Sequence, residues 1–341
     1  MTLAIAATYL LFWPLPIEPE AWNPPSAPSA STNAALAAFE LLEPSLPAPE
    51  AITFDAEGRV VTGLIDGRIV RFTPKGNDLA VIARTEGRPL GLKYDHGGNL
   101  LVADAQRGLL IVDRDGAVKS LAASYGEKQL GFVDDVDVAS DGTVYFSDAS
   151  SRGSLAKYKL EVIEHRPLGR LFAYHPDGRL ELLLEGLYFA NGVALAPDAS
   201  YVLVSETTSY RIRRFYLNGP KAGQNDIFVD NLPGFPDNIT WSPSRRVFWV
   251  ALPTPREPIL DQLSPSPFLR KVVARFPNVF QPSIRRHAWA VAIDETGRIV
   301  ADLQDDSSTS YSPLTSVVEQ GGFLYLGSFV HNGVGRIAAP R

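Results

Sequence analysis

The stretch that decides the fold is FVDDVDVASDGTVYFSDASS at residues 132–151. Apolar and polar side chains alternate up to Asp141-Gly142 and again as far as Asp148, as two antiparallel strands joined by a tight turn require. The pattern recurs as FDAEGRV at 54–60, YDHGGNL at 94–100 and APDASYV at 196–202. Aligning the turn residues Gly58, Gly98, Gly142, Ala199, Arg245 and Gly322 superimposes six segments beginning EAITF, LGLKY, DDVDV, NGVAL, DNITW and LTSVV. The turns are spaced by 40, 44, 57, 46 and 77 residues, the first four near the size of a four-stranded propeller blade. An all-β chain folded as a six-bladed β-propeller is therefore expected.

A second strand follows each turn, as in NLLVADA at 99–105, TVYFSDA at 143–149 and YVLVSET at 201–207. Third and fourth strands read from GRIVRFTPKGNDLAVIAR at 67–84, GRLFAYHPDGRLELLLEG at 169–186 and WAVAIDETGRIVADLQ at 289–304. The sixth unit has only three strands, and an open edge would present unpaired backbone groups. Residues near Ala38–Glu43 are expected to supply its outer strand and close the ring. Two long connections, 150–168 and 253–288, join strands two and three of blades three and five, so both overhang the start of the inner strands. The second contains a predicted amphipathic helix, Ser266–Phe276, with Phe268, Leu269, Val272, Val273 and Phe276 on one stripe. It reads as a lid, a membrane-contact element or a packed insertion.

The propeller proper is assigned to 37–341. Residues Thr2 to Trp13 form an apolar run too short to span a bilayer at about 20 residues and without the basic start of a signal peptide. We read 1–13 as an anchor or signal remnant, or as a tail packed on the protein's own surface. Membrane association through this segment and a membrane-associated or periplasmic, extracytoplasmic location are the corresponding expectations. Residues 14–36, with Pro14, Pro16, Pro19, Pro24, Pro25 and Pro28, read as an extended linker. With 27 Gly and 27 Pro among 341 residues turns must be frequent, while a net charge of −6 disfavours nucleic acid as a partner. The absence of cysteine excludes disulfides, thiolate metal sites and a cysteine nucleophile.

Eight residues before each turn residue lies the first position of an inner strand: Glu50, Leu90, Asp134, Asn191, Asp237 and Leu314. Two and four residues later the same strands are almost wholly apolar, which fits packing between blades. Propeller symmetry brings the first positions together around the channel. Three carboxylates and a carboxamide then converge, and carboxylates about 4 Å apart repel by roughly 4 kcal/mol per pair at an effective dielectric near 20. Such a cluster needs protons or a cation, and oxygen-only ligands suit Ca²⁺, with Mg²⁺ or Mn²⁺ as alternatives. The same residue types also cap turns at strand starts, which is the competing explanation.

The segments FANGVALAPDASYVLVSETTSYRIRRFYL at 189–217, PGFPDNITWSP at 233–243 and FLYLGSFVHNGVGRI at 323–337, together with the opening stretch, resemble the strictosidine synthase-like branch of the gluconolactonase, paraoxonase and diisopropylfluorophosphatase superfamily. The resemblance covers about residues 12–341. It implies a six-bladed propeller with a calcium in its channel, held by Glu50, Asp134, Asn191 and Asp237, with Asn238 matching a further ligand of paraoxonases. Asp134 departs from the Asn usual in hydrolytic members and adds negative charge. Leu90 stands where paraoxonases carry a catalytic histidine, and Thr315 where plant strictosidine synthases use a glutamate, so their condensation is disfavoured.

The expected activity is calcium-dependent hydrolysis of lactones or aryl esters, with phosphoesters as a further class. Asp237, Glu50 or Asp134 is the candidate nucleophile or general base. Phe132, Tyr188, Phe189 and Phe235 immediately precede ligand segments, predicting an apolar mouth for a small hydrophobic substrate. His331 is a further candidate there, while His165 and His287 border the insertions and His96 and His175 lie in turns on the opposite face. The alternative is a non-catalytic binding propeller with a structural ion.

Overall fold

Six four-stranded antiparallel sheets, each in sequential strand order except the last, make up the body of the protein. The computed structural model describes residue 9 and residues 11–29, 31–277, 281 and 284–340. The six inner strands are Ile52–Phe54, Pro89–Tyr94, Val133–Val138, Ala190–Leu195, Ile239–Ser242 and Ser316–Gln320. Each packs on the inner strands of the blades before and after it, and the first meets the sixth, so the ring is closed. Six apolar clusters lie one at each blade interface, such as Phe146 and Phe172 against Leu101 and Leu109 between blades two and three. The alternation seen in the sequence thus buries both faces of every sheet.

Closure uses the N-terminus as expected. Glu40–Leu42 pairs antiparallel with Val334–Ala338, with Glu40 opposite Arg336 and Leu42 opposite Val334, and the Glu40 and Arg336 side chains form an ion pair. The chain on either side is anchored by Leu36 and Leu46, each 1% exposed.

A second device positions the site. The carboxylate ending strand two of a blade accepts a backbone N–H from the chain entering the same blade: Asp104 from Arg88 (3.0 Å), Asp148 from Phe132 (2.7 Å) and Glu206 from Tyr188 (3.2 Å). Between blades, Asp135 accepts from the Val193 N–H at 2.8 Å and Asp137 from that of Leu195 at 2.9 Å. Blades three and four are thereby held in register at the channel.

The long connections form three short helices: α1 (Tyr158–Glu164), α2 (Pro258–Leu263) and α3 (Pro267–Ala274). Ser266, where the predicted helix begins, caps α3 by accepting from the Leu269 N–H. Of the apolar stripe, Phe268 and Leu269 are 53% and 44% exposed, whereas Arg270 is buried. Its guanidinium donates to the carbonyls of Ile163 (2.7 Å), Glu20 (2.7 Å) and Glu164, so α3 turns its arginine inward to join α1 and the N-terminal segment.

Residues 14–36, expected as a linker, are docked. Ile17 packs with Ile163 and Ala274, Trp22 stacks on His165 with ring centroids 4.1 Å apart, and Arg256 donates to the Pro25 carbonyl at 2.6 Å. Most of the apolar run at 1–13 lies outside the described residues; of the rest, Phe12 and Trp13 are exposed. Among the described residues no helix is long and apolar enough to cross a membrane.

Candidate functional site

Glu50, Asp134, Asn191 and Asp237 line one cavity of about 240 Å³ at the channel end where the inner strands begin. The repeat position that singled them out does bring them together; Leu90, at the same position, is buried among Phe132 and Phe189. Asn238 follows Asp237, lines neither of the cavities described here and is 3% exposed. Gly192 lets the Asn191 strand approach closely, since a Cβ there would stand 2.4 Å from the Asp237 carbonyl oxygen.

Electrostatically the site is loaded. Burial pushes the Asp134 carboxyl well above the ordinary Asp value, and repulsion from Asp237 and Glu50 adds to the shift. Asp237 is likewise raised by burial and by Glu50 and Asp135, with Asn191 pulling the other way. Burial raises Glu50 too, against the pull of Arg88, and lifts Asp135 to about 7.

Three acceptors, Asn191 Oδ1, Asp237 Oδ1 and Asn238 Oδ1, are buried and receive no hydrogen bond. Leaving such an oxygen unsatisfied costs on the order of 1–3 kcal/mol. Raised carboxyls beside unpartnered carboxamide oxygens are a donor set that a hard divalent cation completes, so the residues present fit the expected ion. Among the described residues no three His, Cys, Asp or Glu side chains make a metal-holding group by themselves. The fit therefore depends on the carboxamides.

A second cavity, of about 140 Å³, shares Tyr158, Phe189, Asn191, Asp237 and Phe329 with the first. Its further walls include Val162 and Ile163 on α1, Leu260 on α2, and Phe235. Of the candidate substrate contacts, Phe132 lines the first cavity, Phe235 the second and Phe189 both. Tyr188 and His331 line neither. Tyr188 stacks on His165 at 4.4 Å, and His331 packs on Tyr311 at 4.5 Å. His165 is buried between Trp22 and Tyr188 with Nδ1 3.0 Å from Thr208 Oγ1. His287 Nε2 lies 3.0 Å from Gln304 Oε1 and His175 Nε2 2.8 Å from Glu181. No histidine thus lines either of these two cavities. Thr315, fully buried, carries an unpartnered hydroxyl.

Sequence reasoning missed Arg88. It lines the carboxylate cavity and donates from Nη2 to Glu50 Oε2 at 2.7 Å and from Nη1 to the Ala48 carbonyl at 3.1 Å. The only signal was an arginine two residues before the repeat position of a blade whose own first residue is Leu90.

Fold and site together define a six-bladed propeller with a buried, oxygen-lined acidic cavity at one end of its channel. Comparison with known proteins narrows this class. The family described as strictosidine synthase matches residues 134–220, and the strictosidine synthase-like N-terminal family matches 30–72. The adipocyte plasma membrane-associated protein of Salmo salar is 37% identical over 318 residues, covering 86% of this chain and 76% of that protein. Strictosidine synthase-like protein 6 of Arabidopsis thaliana is 33% identical over 300 residues, covering 86% and 79%. The chain belongs to the strictosidine synthase-like family. Among solved structures, a gluconolactonase from Xanthomonas campestris superposes with a TM-score of 0.63 at 19% identity, over 95% of this chain and 98% of that one. Regucalcin from Agrobacterium tumefaciens, described as a calcium-binding protein, gives 0.63 at 14% identity over 89% and 93%. At these identities the likeness is one of fold.

Proposed function

We propose that this protein is a calcium-dependent hydrolase of lactones or aryl esters, with phosphoesters as a further class. The observation that carries the reading is the junction of the two cavities. Asn191 and Asp237, with buried unpartnered oxygens, stand where an acidic cavity meets an apolar one. Glu50, Asp134, Asn191 and Asp237 would hold the ion, with Asn238 behind them. Bound there, Ca²⁺ supplies Lewis-acid polarisation of an ester or lactone oxygen and stabilises the negative charge that develops on it.

The chain's own residues do the rest. Asp237 is the carboxylate common to both cavities, and its burial makes it a stronger base than an exposed aspartate. It is the group to accept the proton of an attacking water, or to attack directly, while Glu50 and Asp134 line only the acidic side. Phe189 and Phe235 give an apolar acyl or aryl group a dry wall. Thr315 offers a hydroxyl where plant strictosidine synthases use a carboxylate, which weighs against condensation.

The competing reading, a binding propeller with a structural ion, draws on the depth of Asp134 and Asp237. Chelation followed by thermal melting and hydrolysis of a lactone and aryl-ester panel separates the two. The hydrolase reading expects activity that disappears on chelation and returns with Ca²⁺; loss of stability with no activity in either state sinks it.

The same reading extends to location. Ile259 on α2 and Phe268 and Leu269 on α3 are exposed, as are Phe12 and Trp13, and Arg275 just past α3 donates to the Trp13 carbonyl. A relative named for the plasma membrane adds support. We propose that these side chains rest on a lipid surface, so that the mouth receives apolar substrates, in a membrane-associated or extracytoplasmic setting.

A further inference from the structure

The ion pair between Arg88 and Glu50 stands in the wall of the acidic cavity. Both side chains are buried, 3% and 9% exposed, and the cavity they line is shared with Asp134 and Asp237. Arg88 is held from three sides. Its N–H donates to Asp104 Oδ1 at 3.0 Å, its Nη1 to the Ala48 carbonyl and its Nη2 to Glu50. It cannot swing out to solvent without breaking buried hydrogen bonds, so its positive charge is a permanent part of the cavity.

With an ion bound and all three carboxylates ionised, they and the one guanidinium would give this wall a net charge of −2. We propose that Arg88 is a charge-setting residue: it offsets one of the three carboxylates, so that the site is matched to a single divalent cation rather than to a trivalent one. The proposal rests on the ion-site reading above and deepens it. In a buried site, where charges a few ångströms apart are weakly screened, one uncompensated charge discriminates strongly between a divalent and a trivalent ion of similar size. Arg88 also orients Glu50 by holding Oε2, and it does so as a fork that a lysine reproduces in charge but not in geometry.

The test is direct binding of Ca²⁺ and Tb³⁺ to the full chain, by calorimetry and by Tb³⁺ luminescence sensitised through Tyr158 in the cavity wall, with melting curves as the folding control. Arg88→Gln should shift the ratio of Tb³⁺ to Ca²⁺ affinity at least tenfold toward Tb³⁺. Arg88→Lys should keep the wild-type ratio, and the double variant Arg88→Gln with Glu50→Gln, again at −2, should restore it. If Arg88→Gln does not fold, Glu50→Gln serves instead. It leaves −1 with Arg88 in place and should weaken Tb³⁺ more than Ca²⁺. An unchanged ratio in a folded charge variant overturns this proposal alone. A wild-type protein that binds neither ion overturns the ion-site reading and this proposal with it.

Discussion

A Cβ placed on Gly192 would stand 2.4 Å from the carbonyl oxygen of Asp237 and 2.5 Å from the Ile239 N–H nitrogen. The obstacle is backbone of the neighbouring blade, which cannot rotate away as a side chain can. Gly192→Ala must therefore push apart the two strands that carry Asn191 and Asp237. We expect a loss of about 1–3 kcal/mol in stability, read from urea midpoints, together with weaker Ca²⁺ binding. Wild-type stability and affinity in this variant would show that the close approach does not matter.

Asp134 costs the folded chain stability at neutral pH when no ion is bound, because burial and its carboxylate neighbours oppose its ionisation. Its folded-state carboxyl is raised well above 3.8 by burial and by Asp237 and Glu50. A raised acid is neutral in the folded chain where it would already be ionised in the unfolded one, so its stability contribution is full below about pH 3.8 and is lost as the pH rises. In chelator, Asp134→Asn should therefore melt higher than wild type at pH 8, by on the order of 2 °C or more, and the gap should close on acidification. With Ca²⁺ added the order should reverse. Melting curves at pH 5 and 8, with chelator and with Ca²⁺, check all three signs.

The inner-strand position was legible because a carboxylate or carboxamide recurring at one place in four of six repeats is a statement about symmetry, and ring closure converts symmetry into proximity. The closing strand was legible for a related reason, since three strands in the last unit leave an edge that some other segment must pair. Arg88 was not legible, because its partner Glu50 lies in another blade and nothing local marks the contact. Nor was the packing of α3. An apolar stripe shows which residues are alike, not which side is covered, and the carbonyl ends of α1 and the N-terminal segment drew Arg270 inward while leaving Phe268 and Leu269 outside. Tyr188 and His331 adjoin the right segments, yet their rings are taken up by His165 and Tyr311.

His165 makes the N-terminal strap acid-sensitive. Burial lowers its folded pKa from 6.5 to about 3, helped by the charges of Arg270 and Arg211. Between those values the unfolded chain binds a proton that the folded one refuses, so stability is present above pH 6.5 and lost as the pH falls through that window. Relative to His165→Gln, the wild type should lose about 2 kcal/mol between pH 7 and pH 5, at roughly 1.4 kcal/mol per pH unit below 6.5. Parallel urea midpoints for the two proteins across this range would contradict the assignment.

The exposed apolar side chains of α3 carry the proposed contact with lipid. Burial of each in a bilayer interface is worth about 1.5–3 kcal/mol, so Phe268→Asp combined with Leu269→Asp should reduce binding to phosphatidylcholine vesicles by tenfold or more in a flotation assay. Neither side chain lines the two cavities, so turnover of a water-soluble ester should be unchanged. Vesicle binding that survives the double substitution excludes this helix as the contact.

Ring closure and strap docking are separable by truncation. Removing residues 1–28 takes away Ile17, Trp22 and the carbonyls that Arg270 and Arg256 hold, but leaves Glu40–Leu42 paired with Val334–Ala338. That protein should remain a folded propeller in the oligomeric state of the full chain, with α1 and α3 more open to proteolysis. Removing residues 1–48 also takes away the outer strand of blade six and the buried side chains of Leu36, Leu42 and Leu46, each worth about 2–5 kcal/mol by the cost of truncating a buried leucine. It leaves the N–H and C=O groups of Val334–Ala338 unpaired along an edge free to recruit another chain. The longer deletion should therefore unfold or self-associate at concentrations where the shorter one does not, as measured by size-exclusion chromatography and circular dichroism. Equal stability of the two would mean that the sixth blade holds without its fourth strand, and that closure of the ring rests on the inner strands alone.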